Sequence, residues 1–155
     1  MILLDTTVLL HPEDDKSNRS LPFEVPADVR VLRFSCSYAP KTIDDMDLAK
    51  RAARCSIGRY VPRWQLPLYE ERESEEIKLV NLITLSLDCG GEYLGCAHRH
   101  APEQEHVLSA QMSSPGFVRH MPRAGQYRAV LNVHSITSPQ VAYRLVVTAE
   151  GGQGA

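Results

Sequence analysis

Across residues 29–38 the chain alternates with a period of two. Leu32, Phe34, Cys36 and Tyr38 fall on one side, and Arg33, Ser35 and Ser37 fall on the other. That is the pattern of a strand with one face buried and one face in water. The alternation returns at Ile83, Leu85 and Leu87, at Tyr127, Ala129, Leu131 and Val133, and at Val141, Tyr143, Leu145 and Val147. Shorter strands are expected at 1–10, 21–25, 93–98 and 106–112, with 11–20 a polar loop. Cys89-Gly-Gly-Glu92 reads as a hairpin turn, and Gly and Pro turn signals recur at roughly ten-residue spacing. About seven to nine such strands, with no βαβ pattern, bury their apolar faces by stacking one sheet on another. The predicted fold class is therefore all-β, a mainly antiparallel sandwich of jelly-roll kind.

One segment breaks the β pattern. Pro40 ends the strand before it, and Thr42-Ile-Asp-Asp45 resembles a capping box with Thr42 as the cap. Met46, Ala49, Ala53 and Ile57 then recur at helical spacing, and Gly58 is a natural stop. A helix near residues 42–58 is expected to lie on a sheet. Residues 59–68, with Pro62 and Pro67, should be irregular, and the charged stretch 70–78 a solvated loop. Together 41–78 form an insertion in a single sandwich domain spanning 1–150, with 151–155 a flexible tail.

Composition narrows the functional classes. The chain has 155 residues, 43% hydrophobic and 23% charged, with a net charge of −2, and shows no basic run that would call for nucleic acid. Its apolar runs are too short for a membrane span, and residues 1–5 lack the basic and apolar regions of a signal peptide. A cytoplasmic location is the expectation. The four cysteines form no CxxC pair. They are expected as small buried hydrophobes in a reducing compartment, with Cys89 and Cys96 facing each other across the hairpin as the alternative.

Three segments carry a family likeness. The first is Leu21-Pro-Phe-Glu-Val-Pro26 with the strand 29–34 that ends in Phe34. The second is Asn81-Leu-Ile-Thr-Leu-Ser-Leu-Asp88, followed by Gly91 and Tyr93-Leu-Gly95. The third runs from Ser114-Pro-Gly-Phe117 through Pro122 and Gly125 to Tyr127. They resemble the β-sandwich domain that precedes the catalytic domain of CehA/McbA-type PHP metallohydrolases. None of the three is a catalytic motif, and the family's metal ligands belong to the domain that follows. The resemblance implies a noncatalytic accessory module whose partner is a PHP-type phosphoesterase or a small-molecule or carbohydrate ligand. No cofactor and no catalytic residue are implied. A homodimer formed through sandwich edges is an open alternative.

Two residue groups offer chemistry of their own. In Ala97-His-Arg-His100, His98 and His100 stand two apart. On a strand that spacing places both imidazoles on one side, where they can share a divalent metal. With Glu105 and His134 they would form a cupin-like ligand set, although Ala124 stands where the second cupin motif needs its glycine. The other reading puts His98 and His100 at a strand end facing water, and His134 on the outward side of its strand. The second group, Tyr60, Arg63 and Trp64, combines aromatic faces with planar polar groups, as carbohydrate and peptide modules do. Arg99 is added to this ligand-binding set. The alternative is that Tyr60 and Trp64 fasten the insertion to the sheet.

Overall fold

The computed structural model describes residues 1–70 and 79–151. Eight strands occur among the described residues: β1 (Ile2–Leu10), β2 (Ser17–Val25), β3 (Val29–Ala39), β4 (Leu82–Cys89), β5 (Glu92–Ala97), β6 (Glu103–Ser109), β7 (Gly125–Ser135) and β8 (Val141–Gly151). They form two four-stranded sheets ordered β1-β8-β3-β6 and β2-β7-β4-β5. Every pairing is antiparallel. The first strand lies beside the last and the second beside the next to last, the arrangement of a jelly roll.

The alternating residues build the core as their spacing requires. Leu32, Phe34, Cys36 and Tyr38 are buried, as are Ile83, Leu85, Leu87, Tyr127, Ala129, Leu131 and Val133. Phe23 of β2 joins the two sheets, its ring 6.2 Å from that of Phe34 and 5.7 Å from that of Tyr127. Tyr38 stacks on Tyr143 at 5.9 Å. β2 begins earlier than its apolar residues suggest. Ser17 to Ser20 pair with Val133 to Val130 through backbone alone, so a polar stretch that reads as loop is an edge strand.

The insertion differs from expectation at both ends of its helix. Helix α1 spans Met46–Tyr60, and its cap is Asp45, whose carboxylate accepts from the Leu48 N–H at 2.9 Å. The Thr42 hydroxyl instead donates to Asp44 Oδ1, and Thr42 forms a backbone bridge with Val80. Gly58 does not end the helix. It lies in ordinary helical conformation and nothing crowds it, so the last turn reaches Tyr60. Only Ala49 of the helix is fully buried. A 3-10 turn at Arg63–Gln65 leads into the short helix α2 (Leu66–Glu70). The charged stretch continuing to residue 78 and the tail beyond 151 lie outside the described residues. The described cysteines are free. Cys36 and Cys89 are buried as expected, Cys96 is half-buried, and Cys55 on α1 is exposed. No helix among the described residues is long and apolar enough to cross a membrane.

Asn81, immediately before β4, is wholly buried and ties three segments together. Its Oδ1 accepts from the N–H groups of Thr137 and Ser138 at 2.7 and 3.2 Å. Its Nδ2 donates to Pro40 O at 2.9 Å and Ser138 Oγ at 2.7 Å. A buried amide with its bonding capacity filled fixes the loops at this end of the sandwich.

The loop between β6 and β7 closes one side of the sandwich. Ser114 N donates to Val107 O at 2.9 Å, on the edge of one sheet. Two residues later Gly116 O accepts from Cys96 N at 2.9 Å, and Val118 N donates to Leu94 O at 2.9 Å, on the edge of the other. The loop crosses β5 at Gly95. A Cβ on Gly95 would lie 2.1 Å from Gly116 O, and one on Gly116 would lie 2.2 Å from Cys96 O, with φ values of +120° and +101°. Both positions need glycine on two counts, conformation and space. Gly116→Ala should therefore cost at least about 3 kcal/mol in urea unfolding, since positive-φ strain and backbone overpacking add. Gly91→Ala, at φ +90° with open space around it, should lose only the strain, about 1–2 kcal/mol.

Candidate functional site

Thr84 and Ser86 of β4, Cys96 of β5, and Asn132 and His134 of β7 alternate with core residues, so their side chains stand on the outer face of the β2-β7-β4-β5 sheet. Thr84 is only 1% exposed although it points away from the core. It sits within a polar network. Asn132 Nδ2 donates to Ser86 Oγ at 2.6 Å and to Thr84 Oγ1 at 3.3 Å. The Cys96 thiol donates to Thr84 Oγ1 at 3.6 Å. The same hydroxyl meets His134 Nε2 at 2.9 Å.

His134 lies at the end of this network, beside the chain leaving β5. The rings of His98 and His134 are 5.4 Å apart and those of His98 and His100 are 5.8 Å apart, both edge to face. The three predicted imidazoles therefore occupy one patch, and all three are exposed. Burial, then the charges of His98 and His100, push the His134 pKa below the ordinary imidazole range. His98 and His100 stand just past the end of β5. Their backbone is held by tight bonds, His98 N to Cys96 O at 3.2 Å and Arg99 N to Ala97 O at 3.0 Å. Gln104 Nε2 donates to Arg99 O at 3.3 Å and Ala101 O at 2.7 Å, clamping both sides of His100.

Glu105 is not part of the patch. It lies on β6 in the other sheet, paired with Ser35 and acting on Arg33. The ligand set His98, His100, Glu105 and His134 is thus not gathered as a whole. The His98 ring meets those of His100 and His134 edge to face, and among the described residues no three His, Cys, Asp or Glu side chains are disposed as they stand to hold a metal ion. Arg99 is exposed between the two histidines just past β5, whereas Tyr60, Arg63 and Trp64 belong to the insertion.

At the insertion, Tyr60 and Trp64 part ways. The Tyr60 hydroxyl donates to Asp15 Oδ2 at 3.2 Å, and the Lys16 ammonium lies 3.5 Å from the centre of its ring. Tyr60 fastens the end of α1 to the loop between β1 and β2. Trp64 does not anchor the insertion, since 76% of its surface is exposed, with Arg63 and Leu68 exposed beside it. Leu48, Ala52 and Cys55 of α1 also line a cleft of about 280 Å³ against Pro12, Ile136 and Pro139 of the end loops. Sequence reading missed this cleft. The signal was there in the stripe Leu48, Ala52, Cys55, one step around the helix from the stripe of Ala49 and Ala53.

Cys36, Tyr127 and His106 are held in the interior. Burial pushes the Cys36 thiol up to about 11, so it stays protonated at neutral pH. Burial likewise pushes Tyr127 up to about 12, and its hydroxyl accepts from Arg123 N at 3.1 Å and bonds His120 Nε2 at 2.9 Å. His106 is buried against Phe117, and its Nε2 meets Gln104 Oε1 at 3.0 Å while Nδ1 has no partner. Because Oε1 can only accept, Nε2 carries the proton. No family model matches this chain, and no curated protein matches it.

His106 sets a pH dependence. Burial, then Arg99, holds its pKa below the ordinary imidazole value, and burial does the same to His120 and His134. The unfolded chain therefore binds protons more tightly than the folded one near neutrality. Stability should be full above a pH of about 6.5 and should fall as pH drops from there through the folded pKa values. His106→Leu removes one of the three groups. Urea unfolding between about pH 7 and 5 should then show a shallower slope of free energy against pH, whatever the change in absolute stability.

Proposed function

We propose that this jelly roll is a noncatalytic accessory module of the kind found with PHP-type metallohydrolases. It engages a catalytic partner or a carbohydrate-like ligand through the surface of its insertion around Trp64. One observation carries the reading: the residues of the likeness are spent on architecture. Phe23 packs on Phe34 across the two sheets and on Tyr127 within its own, and Asn81 ties the loops. Asp88 pairs with Arg128 at 2.9 Å, and Gly95 and Gly116 permit the backbone crossing. What is left for recognition is exposed, and Trp64 is the largest apolar side chain in that set. A rigid aromatic ring beside Arg63 suits a sugar face or a hot spot at a protein interface.

Two measurements test this reading. Purified chain supplied with Mn2+ or Zn2+ should show no hydrolysis of phosphodiester or ester substrates, and turnover abolished by a single substitution would overturn it. The chain has one tryptophan, so its emission reports directly on this surface. Titration with the catalytic domain of a PHP-type metallohydrolase, or with a panel of oligosaccharides, should shift that emission in one of the two arms. Trp64→Phe should remove the signal, and Trp64→Ala should weaken binding at least tenfold by calorimetry, on the order of a hot-spot residue. Flat titrations in both arms would count against the proposal.

A further inference from the structure

We propose that His98, His100 and His134 form a divalent transition-metal site on the outer face of the β2-β7-β4-β5 sheet, with Thr84 positioning His134. The spacing on either side of His98 is that of imidazoles sharing one ion. With metal–nitrogen bonds of about 2.0–2.1 Å, ring centres lie about 3.2 Å from the ion and, at tetrahedral angles, about 5.2 Å from each other. The His98 ring here lies 5.4 Å from that of His134 and 5.8 Å from that of His100. Both pairs now meet edge to face, so the rings must turn to converge on one ion, and all three histidines are exposed. The backbone beneath His98 and His100 is already set by the tight bonds after β5 and by Gln104 on either side of His100.

His134 is held differently. Its Nε2 bonds Thr84 Oγ1, and Thr84 is buried and bonded by Asn132 and Cys96. A metal-ligating histidine gives its other ring N–H to such a partner, which fixes tautomer and orientation. Ligation through His134 Nδ1 requires the tautomer that gives Nε2–H to Thr84 Oγ1, an oxygen that Asn132 and Cys96 also reach at 3.3 and 3.6 Å. Neutral imidazoles suit Zn2+, Ni2+ and Cu2+. Three of them leave a fourth coordination position open to water or to an oxygen ligand. This site is independent of the role proposed for the Trp64 surface, and neither test bears on the other.

The experiment uses the chain purified without a histidine tag and stripped with chelator. Zn2+ is titrated by calorimetry and Co2+ by its visible absorption. One equivalent per chain is expected, with affinity in the micromolar range or tighter. His98→Gln and His134→Gln should each weaken binding at least tenfold. Thr84→Val should weaken it about tenfold, as loss of an orienting partner does. His11→Gln, in a histidine away from the patch and bonded to Gln140, should leave it unchanged. Circular dichroism and melting temperature on each variant establish that the fold is kept, as expected for the exposed histidines. His100→Gln serves as a further arm should one of the others unfold. Absence of binding at 100-fold excess Zn2+ over protein would overturn the site, as would binding indifferent to substitution of His98, His100 and His134.

Discussion

Cys96 donates its backbone N–H to the carbonyl of Gly116 at 2.9 Å, and the sandwich depends on that bond and its neighbours. Two stacked sheets are held together across their faces by apolar packing, which has no preferred direction. Backbone bonds from one short loop to β6 on one sheet and β5 on the other add direction and set how the sheets meet along this side. They also occupy donors and acceptors on two sheet edges that would otherwise be open to another chain. The crossing works only because neither Gly95 nor Gly116 carries a Cβ.

The outer face of the β2-β7-β4-β5 sheet has a different logic. Thr84, Ser86 and Asn132 are short polar groups that satisfy one another, so they can be buried without the cost of unmade bonds. That packing makes a firm base beneath His134. The exposed imidazoles are thus carried by a backbone and a side-chain layer that are each already ordered. On the same face the Arg128 guanidinium is paired with the Asp88 carboxylate.

The legible part of the sequence was the part governed by burial. Inward residues of β3, β4, β7 and β8 alternate, and the sheets follow from that alternation. The start of β2 was not legible, because Ser17 to Ser20 belong to a strand through backbone pairing with β7 and carry no apolar signal. The helix cap was misplaced by three residues, because Asp44 and Asp45 both compete for the role given to Thr42. Of the candidate site, the nearness of His98 and His100 follows from their closeness in the chain, although they stand just past β5 and not on the strand that the spacing argument assumed. The arrival of His134 beside them was not legible, since it depends on β7 and β5 flanking β4. The separation of Glu105 has the same origin: β5 and β6 are consecutive in the chain but lie in different sheets.

The strand order has a consequence in time. β1 pairs only with β8, and β2 only with β7. The first 25 residues of the chain have no partner in either sheet until residues 125–151 exist. Contacts this far apart in sequence are slow to form, because the intervening chain must be closed before they bring any gain. During synthesis, strands β3 to β6 emerge with half of each sheet missing, and the amino-terminal strands wait as unpaired edges. Whatever shields those edges in the interval, whether the ribosome, a chaperone or an attached domain, guards the step at which this fold is most open to aggregation.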